Sequence, residues 1–271
     1  KKYIFGKRDS IHIIDLTQTL ELTKIALEKV YNTIANNGKI LFVSTKKQAS
    51  ATIAALAKDT SQYYVNHRWL GGMLTNWNTI SNSIKRYKKL SSDLKKENTG
   101  FTKKEILKMG IQRDKLERSL GGIADMTKIP NMIFIIDTNI EELAVKEALK
   151  LNIPIVAVVD TNSDPSGINY PIPGNDDARR AINLYCDLIK QTVLDAQQNT
   201  LKSTEEEIKK KDQDEKINEV RLSDENKSTK EKPIKKDKKK PPIKVKDKTK
   251  SVKKISKSIL SKVKSLTSKK S

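Results

Sequence analysis

Apolar positions along this chain follow two periods. Ile40-Leu41-Phe42-Val43, Met132-Ile133-Phe134-Ile135-Ile136 and Ile155-Val156-Ala157-Val158-Val159 are continuous runs, the pattern of strands buried on both faces. Between them the spacing changes to three or four. Leu20, Leu22, Ile25, Ala26, Leu27, Val30 and Ile34 predict one helix, stopped by Asn36-Asn37-Gly38 and capped by Asp15 or Thr17. An Ala-rich helix follows over 49–58, another over Glu141–Leu151, and a last one over about 176–197. Strand and helix alternate, which predicts an α/β fold: a parallel sheet covered by helices on both faces. Shorter β-prone runs add a hairpin over 3–15, turned at Gly6-Lys7-Arg8-Asp9-Ser10, and a short strand at Gln62–Val65. His12, on the hairpin, reads as an ordinary half-buried residue.

One segment departs from this alternation. Trp77, Ile80, Ile84, Tyr87, Leu90 and Leu94 form a narrow stripe, and Ile106, Met109, Leu116 and Leu120 form a second, broken by Arg113. Asn98-Thr99-Gly100 divides them. The pattern predicts a coiled-coil helical hairpin. Its first helix, over 75–97, would be about 35 Å long at ~1.5 Å per residue. Residues 85–118 carry 12 basic and 5 acidic side chains, which suits an arm that projects from the body and meets an anion. A solvated hairpin without a ligand is the plainer reading.

Charge sharpens this picture. The chain has 271 residues and a net charge of +21. Residues 201–225 hold 6 basic and 9 acidic side chains, and 226–271 hold 19 and 3, with no aromatics. Such a segment cannot bury enough apolar surface to offset its ordering entropy, so 201–271 reads as a disordered, Lys-rich tail. The division is an α/β domain over 1–74 and 120–200, the hairpin insertion over 75–119, and the tail. Strong positive charge points to nucleic acid or an anionic surface. Cys186 is the only cysteine and His12 and His67 the only histidines, so no disulfide framework and no Cys/His zinc module arises. No apolar run approaches the ~20 residues of a membrane span, and no membrane partner is expected.

The loops at the strand ends hold the candidate chemistry. Thr45-Lys46-Lys47 lacks the glycines of a nucleotide-binding turn but suits a phosphate, whether of a nucleotide or of an RNA backbone. In Arg68-Trp69-Leu70-Gly71-Gly72-Met73-Leu74-Thr75-Asn76 the paired glycines allow a close backbone approach; a tight turn stapled by a buried tryptophan fits equally. Asp137, Asp160, Asp164, Asp176 and Asp177 gather near strand ends. As an acid/base or metal site they would need partners, and no His, Cys or Lys stands beside them in sequence. Asp176 and Asp177 read instead as residues of the last helix's first turn, where they satisfy free N–H groups and repel an anionic ligand.

Three stretches together resemble the bacterial small-subunit ribosomal protein two family: Arg68–Asn76; Pro130–Asp137 with Glu147 and Asn152-Ile153-Pro154; and Asp160–Pro165 with Ile172-Pro173-Gly174-Asn175-Asp176-Asp177-Ala178. The similarity runs over about residues 1–195. It implies a flavodoxin-like sheet with a protruding coiled-coil hairpin and a non-catalytic, cytoplasmic role in the small ribosomal subunit. The implied partners are small-subunit ribosomal RNA and ribosomal protein one; no cofactor and no small-molecule substrate are expected. Candidate RNA contacts are Lys46, Lys47, Arg68, Trp69, Asn76, Lys85, Arg86, Lys88 and Lys89. Candidate partner-protein contacts are Asp160, Asp164, Asp176 and Asp177. Some relatives hold zinc with a histidine and acidic loop residues; Asp160 and Asp176 match the acidic positions, while the histidine has no counterpart here. Two other readings stay open: a flavodoxin-like enzyme acting on a small phosphorylated substrate, and a free nucleic-acid-binding protein of low specificity.

Overall fold

The structure, a computed structural model, describes residues 2–95 and 101–200. The expected divider Asn98-Thr99-Gly100, residues 96–97 of the expected first arm helix and the tail over 201–271 lie outside the described residues.

The chain opens with the antiparallel hairpin β1 (Ile4–Arg8) and β2 (Ile11–Ile14). The turn is tighter than expected. Asp9 and Ser10 alone make it, both at positive φ (47° and 65°), while Gly6 stays inside β1 beside a register shift. His12 is exposed, because both faces of this small sheet are largely open. α1 (Leu16–Ala35) follows, with Asp15 as its cap: the Thr17 N–H donates to Asp15 Oδ1 at 3.0 Å.

Next come β3 (Ile40–Val43), α2 (Lys47–Asp59) and β4 (Tyr63–Val65). The arm is α3 (Trp77–Asp93) and α4 (Lys103–Leu120), closed by a 3-10 turn at Gly121–Ile123. Then β5 (Met132–Ile136), α5 (Glu142–Lys150), β6 (Ile155–Val159) and β7 (Tyr170–Pro173) complete the sheet. A sixth helix, α6, occupies 179–200. The five strands are parallel in the order β4-β3-β5-β6-β7, the flavodoxin-like 2-1-3-4-5 order when the sheet is counted from its first strand.

Strand alternation sends side chains into two cores. On one face Ile40, Phe42, Phe134, Val156, Val158 and Ile172 pack under α1, α2 and α6, with Phe42 and Phe134 edge to face at 5.8 Å. On the other, Leu41, Val43, Ile133, Ile135, Ile155 and Ala157 meet Ala144 and Ala148 of α5. The rest of that face is covered by a loop and the base of the arm: Trp69, Met73, Leu74, Ile80, Ile84, Leu120 and Ile123. The first arm stripe is thus core at its base, with Ile80 and Ile84 buried. The second stripe is core only at Leu120; Ile106 is 41% exposed.

Both sheet edges are closed. Two of the four residues of β7 are proline, which a central strand would not accept. At an edge they fit. Gly174 N donates to Val159 O (3.0 Å), so alternation turns the N atoms of Pro171 and Pro173 away from β6, where no donor is needed. The outward Pro173 carbonyl accepts from Thr19 Oγ1 of α1 at 2.7 Å. On the other edge, Gly122 presses against β4: a Cβ there would lie 2.1 Å from the Tyr64 carbonyl oxygen. Gly122→Ala must push that turn off the strand. It should destabilise the fold by about 1–3 kcal/mol, the usual cost of overpacking, read as a lower urea midpoint with an unchanged slope.

Candidate functional site

Two buried polar clasps fix the loops at the carboxyl ends of the strands. The first is Glu147, in α5. Its Oε1 accepts from the Trp69 indole N–H (3.0 Å) and Gly72 N (2.8 Å). Its Oε2 accepts from Leu74 N (2.9 Å), Thr75 N (3.0 Å) and Thr75 Oγ1 (3.1 Å). One carboxylate thereby satisfies five donors of a loop that has no strand or helix ladder of its own. Gly72 at φ +81° supplies the left-handed residue the loop needs. Burial works against the ionised carboxylate, but the Thr75, Trp69, Leu74 and Gly72 donors outweigh it and hold the Glu147 pKa below its ordinary 4.5.

The second clasp is Lys46, at the start of α2, whose side chain is only 10% exposed. Its ammonium donates to Asp137 Oδ2 (3.0 Å) and Asp176 Oδ1 (2.9 Å) and pairs with Asp177 Oδ1 (2.5 Å). These residues follow β3, β5 and β7, so the ion cluster ties three loops across the sheet's carboxyl edge. Burial disfavours the charged amine, yet hydrogen bonds from Asp176, Asp177 and Asp137 more than offset this and raise its pKa. For Asp176, burial dominates and raises the carboxyl pKa despite Lys46. Asp137 holds a left-handed conformation (φ 68°). It is tolerated because Oδ1 accepts from the following Asn139 and Ile140 N–H groups at 3.1 and 3.2 Å. Beside the cluster, Glu141 accepts from Thr45 N (2.5 Å), and desolvation raises its pKa.

Several sequence expectations change here. Lys46 and Trp69 leave the RNA-contacting set: the ammonium is enclosed by carboxylates, and Trp69 is 6% exposed with its N–H bound to Glu147. Asp176 leaves the docking set, being 2% exposed. Nor do Asp176 and Asp177 cap α6. They precede it: the helix begins at 179, and in the turn before it Asn175 Oδ1 accepts from Asp177 N (2.9 Å) and Ala178 N (2.7 Å). Asp177 is exposed but paired with Lys46. Asp160 is half-buried, its Oδ1 accepting from Thr161 N at 2.6 Å; Asp164 is exposed, with Ser166 N donating to it at 3.0 Å. Sequence reading missed Lys46 as the partner of the aspartates because about ninety residues or more of chain separate them.

The remaining candidates are on the surface. Lys47, Arg68, Asn76, Lys85, Arg86, Lys88 and Lys89 are all exposed. Arg86 donates to Gln112 Oε1 at 3.3 Å, bracing α3 against α4, and Lys88 reaches Asp125 at 3.0 Å. Lys47, Arg68, Lys85 and Lys89 make no ion pair with a described residue. Asn76 accepts from Thr79 Oγ1 at 3.1 Å at the head of α3.

Asp160, Asp176 and Asp177 offer oxygens within 4.8 Å of one another. Zinc favours nitrogen and sulfur, and neither His12 on β2 nor His67 after β4 stands in this group. Lys46 already holds one oxygen each of Asp176 and Asp177. Among the described residues the donor set does not fit zinc.

Two substitutions check the clasps. Glu147→Gln places an amide donor against loop donors and should cost roughly 1–3 kcal/mol. The lowered folded pKa means the stabilisation is present above pH 4.5 and is lost as pH falls through the folded value; urea melts from pH 7 to 3 should show a flatter acid limb for Glu147→Gln than for the unsubstituted chain. Lys46→Met strands buried Asp176 without its cation and should cost about 3–5 kcal/mol at pH 7, recovered in part in Lys46→Met/Asp176→Asn.

Comparison with known proteins bears on what such a surface serves. The family described as ribosomal protein S2 matches residues 1–196. A protein named small ribosomal subunit protein uS2 from Phenylobacterium zucineum is 60% identical over 194 residues, spanning 72% of this chain and 66% of the relative. Proteins of the same name from Agrobacterium fabrum and Caulobacter vibrioides are 57% and 59% identical, spanning 72% of this chain and 76% and 72% of their own lengths.

Proposed function

This chain belongs to the ribosomal protein S2 family, and on that premise we propose that it is a structural constituent of the small ribosomal subunit, working in the cytoplasmic ribosome. The observation that carries the reading is its identity of 57–60% to proteins named small ribosomal subunit protein uS2. The partner is ribosomal RNA. The body built from 1–74 and 120–200 is the rigid support, and the hairpin insertion over 75–119 is the arm that reaches RNA. Exposed Lys47, Arg68, Asn76, Lys85, Arg86, Lys88 and Lys89 make the contacts, and the Lys-rich 201–271 segment adds charge. Phosphate contacts supply affinity; fit to folded RNA supplies specificity. Asp164, with half-buried Asp160, is the acidic surface left for docking ribosomal protein one.

An enzyme reading gains little from the geometry. The carboxylates that would act at the sheet's carboxyl edge are bonded to Lys46 or to loop N–H groups, and such a set holds loops in place.

Sucrose-gradient sedimentation of lysate tests the assignment. The protein should travel near-stoichiometrically with the small subunit in moderate salt, and residues 1–200 alone should do so too. A chain confined to the soluble fraction would sink the proposal, and failure of 1–200 alone would favour the tail-driven reading. Lys85→Glu/Lys89→Glu should reduce the slope of log affinity against log salt by about 2, roughly 1 per lost phosphate contact.

A further inference from the structure

Between the base of the arm and the body lies a cleft of about 400 Å³ that neither clasp uses, within the ~300–1,000 Å³ range of small-ligand sites. Its walls come from three elements. α2 contributes Lys58, β4 and the residues after it contribute Tyr64, Asn66 and His67, and α4 contributes Glu117 and Arg118. We infer that this cleft receives a single unpaired nucleotide of the RNA, flipped out of its helix, with its phosphate at Lys58 and Arg118 and its base against Tyr64. The inference rests on the ribosomal reading above.

The chemistry favours this occupant. Lys58 and Arg118 are exposed and form no ion pair with a described residue; Lys58 instead lies 6.0 Å from the Tyr64 ring centre. Asp114 also lines the cleft, but its carboxylate is bound by Arg113 (Nε to Oδ1, 2.9 Å). Two free cations therefore face one free carboxylate, Glu117, and the balance draws an anion. An aromatic ring beside cations is how single-stranded RNA is held: bases stack on aromatic or guanidinium planes and phosphates meet Lys or Arg. Glu117 suits the amino group of a base, since a carboxylate accepts from such donors.

The cleft's floor is fixed. Tyr64 is held by Gly122, whose absent Cβ would lie 2.8 Å from ring carbons. Asn66 is tied to α2: Ser50 Oγ donates to its carbonyl at 2.7 Å, and its Nδ2 donates to Ser50 O at 3.4 Å. Lys58, His67, Asp114, Glu117 and Arg118 are exposed, Asp114 being held by Arg113. A rigid aromatic floor loses little entropy on binding. A duplex cannot enter a cleft of this size, so the ligand is one nucleotide from a bulge, loop or strand end.

The test uses small subunits purified from cells that make the full chain. Ultraviolet crosslinking followed by nuclease and protease digestion reads nucleotide adducts by mass spectrometry. We expect a mononucleotide adduct on the peptide holding Tyr64 and His67. It should fall at least tenfold in Lys58→Glu/Arg118→Glu and persist in the charge-conserving Lys58→Arg/Arg118→Lys. Both positions are exposed, so the variants should still co-sediment with the subunit. No adduct on that peptide while arm peptides carry RNA overturns the cleft assignment and leaves the ribosomal reading standing. An adduct of unchanged yield in the charge-reversed variant does the same. If the unsubstituted chain never joins the subunit, both readings fall.

Discussion

A single carboxylate organises one whole face of this protein. A five-stranded parallel sheet needs cover on both sides. One face receives three helices, whereas on the other α5 covers only part of the area. The gap is filled by an irregular loop, Trp69 to Leu74, and by the root of the arm. Irregular backbone over a core leaves N–H groups without partners, and each costs about 1–3 kcal/mol if left buried and unpaired. Glu147 resolves this by accepting from three of them, at Gly72, Leu74 and Thr75, and from the Trp69 indole and the Thr75 hydroxyl as well. Because the loop leads directly into α3, the same bonds set where the arm leaves the body.

The second clasp acts on the orthogonal problem of the sheet's carboxyl edge. Two loops that carry aspartates, after β5 and β7, would repel one another there. Lys46 enters from α2 and gathers Asp137, Asp176 and Asp177 around one ammonium. A buried pair of this kind contributes little net stability against an apolar replacement, yet removing one partner is costly. Its consequence is positional: the loops and the head of α6 are held in one arrangement. Residues that look chemically poised in sequence are thereby committed to structure. The charges left for partners are those the clasps do not use, on the outer faces of α2, α3 and α4 and in the loop at Arg68.

Much of the fold was legible because burial dictates it locally. Continuous apolar runs marked β3, β5 and β6, whose positions are all buried, and three-to-four spacing marked the helices. The two helices α3 and α4 were legible through their narrow stripes, although only the ends next to the sheet prove to be core. Boundaries were less legible. β7 carries two prolines that it tolerates because it lies at an edge, and Asp176-Asp177 imitated the first turn of a helix that begins only at 179.

The sequence by itself determined the layers, the strand–helix alternation, the position of the arm and the excess of positive charge, since each follows from composition or a short period along the chain. The tertiary structure alone decided which polar residues face solvent. Lys46 and Lys47 are neighbours in sequence, and so are Arg68 and Trp69, but one of each pair is enclosed and the other is exposed. Trp69 meets a partner 78 positions away and Lys46 one 130 positions away, distances over which no local pattern carries information. The exposed members keep their charge for whatever the protein binds.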